Sequence, residues 1–439
     1  MMTSATLASA LFSWVERLVK AIRWFIQRLR QGARARYKER YFRGMRVATE
    51  NRDEVARLLY SYYAITEPKS SSRANDLRTI RYLYPDGAAR DLPLLTLPGL
   101  ISRLNPALSV ECEYSGPAKG VSISNKELVH AQEHWEALGI ETWDSHQYSL
   151  CDVEGASTLT FQDTSFHLYR ATYGEVYDEL AVLLARRGLE NVKKMSPSRL
   201  ASSMPKRGQY LGSVDAMFDF PTRVCVGGIV VLFAARTEED DLAVIVQRRS
   251  DKVSNEPRAL TVIPRAYHEA GIAPELEYNL ESSVYREIYE EIFGGKDRAI
   301  PHISHEFYLG ICEPVRELKE GRGKNHILKP TGMVWDLYHG NYQVCYCLYV
   351  TDATWWTRYH RQMVMNWESE VKLEEAWTGK RVMKPVMTRS SKVQGFVERR
   401  DWVADAYFAF IEGLRWLAEV DPVCKATVTT LPRLVLNRI

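Results

Sequence analysis

The chain has 439 residues, 46% hydrophobic and 26% charged, with 18 Pro and 25 Gly, which is ordinary globular composition and excludes wholesale disorder and fibrous classes. At roughly 150 residues per domain the length allows two to three domains, and no uncharged apolar run approaches the ~20 residues of a membrane-spanning helix. The net charge of +3 hides an asymmetry: residues 1–46 hold eleven Lys or Arg against two Glu, so a local +9 sits on a remainder of −6.

In chain order, the first element is a long basic helix over residues 5–46. Leu7, Leu11, Trp14, Val15, Leu18, Ile22, Phe25, Ile26 and Leu29 recur at steps of three and four, which places them on one helical face. Arg17, Lys20, Arg23, Arg28 and Arg30 fall mostly outside that stripe. Three roles fit such a segment: packing on the body or on a second copy of the chain, lying on an anionic membrane surface, or contacting nucleic-acid phosphates, the last ranking lowest. The opening apolar stretch has no Lys or Arg before it and lacks the start of a secretory signal.

Residues 47–220 read as an α+β region without a chemical signature. Helices are predicted over 52–64, 124–138 and 166–187, the last closed by Gly188, where a left-handed turn costs little. A strand is predicted over 109–114, and residues 68–73 and 196–209 are polar, loop-like stretches. Seven scattered Cys without a Cys-x-x-Cys pair speak against structural zinc and fit a reducing, cytoplasmic setting, with the basic helix leaving a peripheral membrane location open.

The second half is more regular. Apolar runs at 223–235 and 242–247 flank the acidic loop 238–241 and predict a β-hairpin. Further strands are predicted at 259–263, 307–312, 333–337 and 342–350, with a turn at 338–341. Helices are predicted at 281–292 and 401–419. Strands with interspersed helices predict a layered α/β fold over residues 222–420, followed by a tail at 421–439.

The chemistry concentrates in Arg286-Glu287-Ile288-Tyr289-Glu290-Glu291. On a helix Glu287, Glu290 and Glu291 stand at i, i+3 and i+4 and share a face, while Val284, Ile288 and Ile292 point to the core. Three like charges repel unless a cation offsets them. Mg²⁺ suits this role because it takes carboxylate oxygens and retains water positions that phosphates can occupy. A solvated charged face is the competing interpretation of the same string. Arg286 is placed to pair with one carboxylate and fix its direction.

This string resembles the signature helix of the Nudix hydrolase family, Arg-Glu-U-x-Glu-Glu with U aliphatic. Residues 242–250 (LAVIVQRRS) look like the family strand ending in Gln-Arg-Arg-Ser, and Val262-Ile263-Pro264 with Glu269 and Gly271 looks like its entry loop. The resemblance covers about residues 222–420 and implies a Nudix-like α/β/α sandwich closed by the helix at 401–419. It implies Mg²⁺ or Mn²⁺ on Glu287, Glu290 and Glu291, and hydrolysis of a diphosphate linkage in a nucleoside-diphosphate-like small molecule. Arg286, Glu290 and Glu291 are then catalytic, and a downstream base is expected at Glu370, with Glu368, Glu374 and Glu375 as rivals. Arg248, Arg249 and His268 are candidate substrate contacts.

Two departures qualify the match. Arg265-Ala266 stands where the family has Gly-Gly, and eight residues rather than seven separate Glu277 from Arg286. They leave open a second role, a sensor or binding protein for a nucleotide-like ligand in regulation or defence. His302 and His305 precede the element at 307–312 and lack partner ligands, and Trp355, Trp356, Tyr359 and Trp367 are read first as packing residues. No P-loop and no Gly-x-Ser-x-Gly elbow occurs.

Overall fold

The computed structural model describes residues 32, 34–64, 76–117, 123–138, 145–155, 157–250, 253, 256–270, 274–295, 305–364, 385–388, 391–428 and 430–438. The fold is mixed α/β. The predicted helix over 5–46 lies mostly outside the described residues, as does the loop at 68–73. Residues 34–50 are helical, and Tyr41, Met45 and Ala48 of that helix are buried in the body.

Fourteen strands are described in chain order: β1 Arg78–Leu83, β2 Ala89–Thr96, β3 Glu111–Pro117, β4 His146–Glu154, β5 Thr158–Ser165, β6 Gly227–Arg236 and β7 Leu242–Val244. They continue with β8 Val246–Arg248, β9 Leu260–Val262, β10 Arg265–Tyr267, β11 His326–Asp336, β12 Tyr342–Val350, β13 Val386–Met387 and β14 Arg433–Arg438. The helices used below are α1 Arg52–Ala64, α2 Asn125–Leu138, α3 Glu175–Arg187, α4 Leu280–Glu287 and α5 Ala404–Val420.

The main sheet runs β13-β7-β6-β12-β11-β2-β1-β14, with β10 added on β6. Its centre is the parallel pair β6 and β12, in register from Gly227 opposite Tyr342 to Ala235 opposite Val350. The β6–β7 and β11–β12 hairpins form as the apolar runs and turns predict. Both central strands are buried along almost their whole length because both faces are covered. Ile229, Val231 and Phe233 pack in one core with Leu280, Val284, Ile288 and Ile292 of α4 and its continuation. Val230, Leu232 and Ala234 pack in the other with Tyr407, Phe410, Ile411 and Leu414 of α5. The period of two along the strand thus sorts side chains between two helical layers.

The ladder crosses residue 220. β2 pairs with β11, β1 pairs with β2, and β14 pairs with β1 along the whole strand, so residues 78–96 and 433–438 extend the same sheet. A second sheet, β3-β5-β4, comes wholly from the N-terminal region. It is stitched to the main body where the Tyr148 amide donates to the His268 carbonyl at 2.9 Å and the Leu150 amide to the Cys225 carbonyl at 2.8 Å.

Several expectations change. Residues 307–311 of the predicted strand 307–312 belong to a helix, His305–Ile311. Tyr308 and Cys312, four apart, are buried, while Phe307 and Ile311 are 43% and 54% exposed, so the helical period overrides the β propensity of the string. The single helix predicted over 166–187 is interrupted by a π turn at Arg170–Gly174. Gly188 does adopt φ 73° at its end. The polar stretch 196–209 is not loop: it forms two short helices, Pro197–Ser202 and Pro205–Tyr210, each opened by proline at its first position. The strand at 242–247 divides at Ile245, so that β7 joins the main sheet and β8 pairs with β9. Ser124 caps α2 reciprocally with Glu127, its amide and hydroxyl donating to the carboxylate at 2.9 and 2.8 Å.

Candidate functional site

Helix α4 starts at Asn279, whose side chain accepts from the Glu281 amide at 2.9 Å. It is pressed on the sheet by Leu280, Val284 and Ile288, and it turns into a π segment at Ile288–Ile292. Glu290 and Glu291 ride on that π segment. Wide turns of this kind frequently sit at functional positions.

All three carboxylates are buried: Glu287 is 7% exposed, Glu290 8% and Glu291 4%. This is not a solvated charged face. The β10 strand meets the helix through one donor and one acceptor. The Arg265 amide donates to Glu291 Oε2 at 2.7 Å. Arg286 donates from Nη2 to Glu287 Oε1 at 2.8 Å and to the Tyr267 carbonyl at 3.3 Å. Burial works against the Arg286 charge, but Glu287, then Glu269 and Glu290, outweigh it and hold the guanidinium protonated.

Arg265 resolves the departure from Gly-Gly. It is a regular strand residue, paired with Val230, and no positive φ is required there. Its guanidinium binds Asp405 Oδ2 on α5 at 2.8 Å. The close approach that glycine would permit is supplied by the neighbouring strand: a Cβ on Gly228 would lie 1.8 Å from the Ala266 carbonyl oxygen. A glycine is thus needed at this crossing, but on β6 instead of on the loop.

The other predicted site residues scatter. His268 is fully buried, its ring 4.3 Å from Tyr148 and 4.7 Å from Phe161, with Nδ1 3.1 Å from the Tyr342 hydroxyl. Burial, and then the charge of Arg286, push its pKa well below the usual histidine value, so it is a neutral core residue. Arg248 donates to Asp401 Oδ2 at 2.7 Å, ahead of α5. Arg249 is buried, its backbone bonded to residues 258 and 259. Trp355, Trp356 and Tyr359 are buried, Trp355 against Phe233 and Phe293. Glu368, Glu370, Glu374, Glu375, His302 and Trp367 lie outside the described residues, and nothing is described of the His305 side chain.

Two residues absent from the expected set join the site. Glu269 Oε2 lies 4.0 Å from Arg286 Nη1, and its Oε1 accepts from Gln147 Nε2 at 3.0 Å. Glu269 carried a sequence signal, its place in the entry-loop string. Gln147 carried none, being one polar residue on an ordinary strand.

As a donor set, buried carboxylate oxygens suit a hard divalent cation. Donors from Arg286 and the Arg265 amide hold Glu287 and Glu291, which fixes the carboxylate planes in the manner of groups that orient metal ligands. Among the described residues, no three His, Cys, Asp or Glu side chains are already gathered into a metal cage. No helix among the described residues is long and apolar enough to cross a membrane. No protein-family model matches the chain, and no curated protein matches it.

Proposed function

We propose that the chain is a Nudix-like, metal-dependent hydrolase that cleaves a diphosphate linkage in a nucleoside-diphosphate-like or related small molecule. One observation carries this reading: Glu287, Glu290 and Glu291 on one helix are each buried, and Arg265 and Arg286 fix two of them. A helix gains nothing from burying three adjacent carboxylates unless positive charge completes the site. Mg²⁺ or Mn²⁺ would be held by Glu287, Glu290 and Glu291, and when bound it supplies charge neutralisation for phosphate oxygens.

The chain's own residues prepare that site. The Arg265 amide holds one oxygen of Glu291 in a fixed direction. Arg286 orients Glu287 and, through the Tyr267 carbonyl, ties the loop to the helix. Burial strengthens each of these interactions relative to water. Glu370 remains the proposed base. The helix–sheet–helix layering around β6 and β12 supports the sandwich assigned to residues 222–420.

The test is a panel of nucleoside-diphosphate sugars, dinucleotides and prenyl diphosphates incubated with Mg²⁺ or Mn²⁺. Turnover that falls by about two orders of magnitude or more in Glu290→Gln and Glu291→Gln is the expected result. Turnover unchanged in both variants rejects the site. The second reading, a nucleotide-like ligand sensor without turnover, is favoured by Arg265, whose side chain is locked on Asp405 where the family has glycine. Calorimetric binding of a panel member without product distinguishes it.

A further inference from the structure

The carboxylate helix is held from the N-terminal region as well as from its own half of the chain. β4 runs against the 268–270 loop: the Tyr148 amide donates to the His268 carbonyl at 2.9 Å and the Ala270 amide to the His146 carbonyl at 3.0 Å. Between these bonds stands Gln147, fully buried. Its Nε2 donates to Glu269 Oε1 at 3.0 Å and to Ser145 Oγ at 2.8 Å. Ser145 Oγ also lies 3.4 Å from the same Glu269 oxygen as donor. The other oxygen of Glu269 faces Arg286 Nη1 at 4.0 Å, and Arg286 Nη2 reaches Glu287 Oε1 at 2.8 Å.

The amide pays for this position. Gln147 Oε1 is buried without a hydrogen-bond partner. A buried acceptor left unsatisfied is costly where a leucine or methionine of similar size would not be. The useful end of the side chain is therefore its N–H group, and that end meets Glu269.

We propose that Gln147 is a positioning residue of the carboxylate site: by fixing Glu269 beside Arg286, it sets how the guanidinium is shared between Glu269 and Glu287. The inference rests on the reading of Glu287, Glu290 and Glu291 as cation ligands. It gives the N-terminal region a defined task, closing the back of the site. With Gln147 in place Glu269 draws part of the Arg286 charge. Without it, Glu269 loses its nearer donor and is held less firmly beside Arg286, Arg286 neutralises Glu287 more fully, and Glu287 becomes a weaker ligand for a cation.

The experiment uses the full chain and Mn²⁺ alone, with free Mn²⁺ read by electron paramagnetic resonance. Gln147→Met keeps length and apolar bulk but removes the donor. It is expected to weaken Mn²⁺ binding roughly tenfold, the scale of an outer-sphere partner. In a Glu269→Gln background the same substitution is expected to change nothing, because its route is already cut. An unchanged Mn²⁺ affinity in Gln147→Met, or an equal loss with and without Glu269, overturns the proposal and leaves Gln147 a packing residue. Should Gln147→Met fail to fold, Ser145→Ala at the partly exposed end of the same link takes its place, with a smaller loss and the same dependence on Glu269. If the wild-type chain binds no Mn²⁺, the hydrolase reading fails by itself. The positioning link is then read from urea midpoints of Gln147→Met, Arg286→Met and the double variant, where additive shifts overturn it and non-additive shifts sustain it.

Discussion

Acid should loosen the carboxylate helix through one histidine. His326 opens β11, is fully buried, and places Nε2 2.9 Å from the Tyr285 hydroxyl of α4. Burial, and then the charge of Arg322, lower its pKa from the ordinary 6.5 to about 4. The unfolded chain takes up a proton near 6.5, while the folded chain refuses it until about 4. Stability from this group is therefore complete above the higher value, falls as pH drops through the interval, and levels off below the lower one. A shift of this size corresponds to about 3 kcal/mol across the window. Other groups titrate in the same range, so the informative quantity is a difference. Urea unfolding of wild type and His326→Gln from pH 7 to 4 should show a steeper loss for wild type by about that amount. Parallel curves would refute the assignment of the depressed histidine. A loss that grew as pH rose would refute its sign.

The remaining predictions concern how the site is held. Arg265→Met removes the partner of buried Asp405, whose Oδ1 has no hydrogen bond. The Arg265 side chain is 22% exposed, which puts the cost near the low end for a broken buried pair, about 3 kcal/mol in urea unfolding. Adding Asp405→Leu should recover most of that loss, and a double variant no better than the single would defeat the argument. Gly228→Ala drives a methyl group to 1.8 Å from the Ala266 oxygen, so β10 must move and release Glu291 from the Arg265 amide. The expected cost is about 3 kcal/mol or more, together with weakened Mn²⁺ binding. Arg207→Met strips a donor from the Tyr63 hydroxyl and from the Leu337 and Tyr338 carbonyls, held at 2.9, 2.8 and 2.7 Å in a fully buried spot. A loss of about 3 to 5 kcal/mol is expected, and a change below about 1 kcal/mol would show that water replaces the guanidinium.

The sequence spoke most clearly where one period ran undisturbed. Val284, Ile288 and Ile292 were legible as the core face of a helix, and residues 342–350 as a strand. The shared direction of Glu287, Glu290 and Glu291 was legible too, but their burial was not. It depends on tertiary packing, of which the Arg265 amide on Glu291, 26 residues away, is one contact. The π segment was equally hidden, because its residues have no distinct composition. His268 stood beside the entry loop in sequence, yet the fold packs it among Tyr148, Phe161 and Tyr342. The strands at 78–96 and 433–438 owe their membership in the main sheet to partners hundreds of residues distant. Gln147 could not be found by any local rule, since its meaning lies wholly in what β4 is laid against.

The pairing of β1 with β14 has a consequence for biosynthesis. β1 emerges from the ribosome about 350 residues before the segment that covers its free edge, Leu83 meeting Arg433 and Arg78 meeting Arg438. At ordinary elongation rates of roughly 5–20 residues per second, that edge waits on the order of tens of seconds. During this interval its amides and carbonyls form an open template for any extended chain nearby. The edge is sealed only when the last strand, β14, has been made.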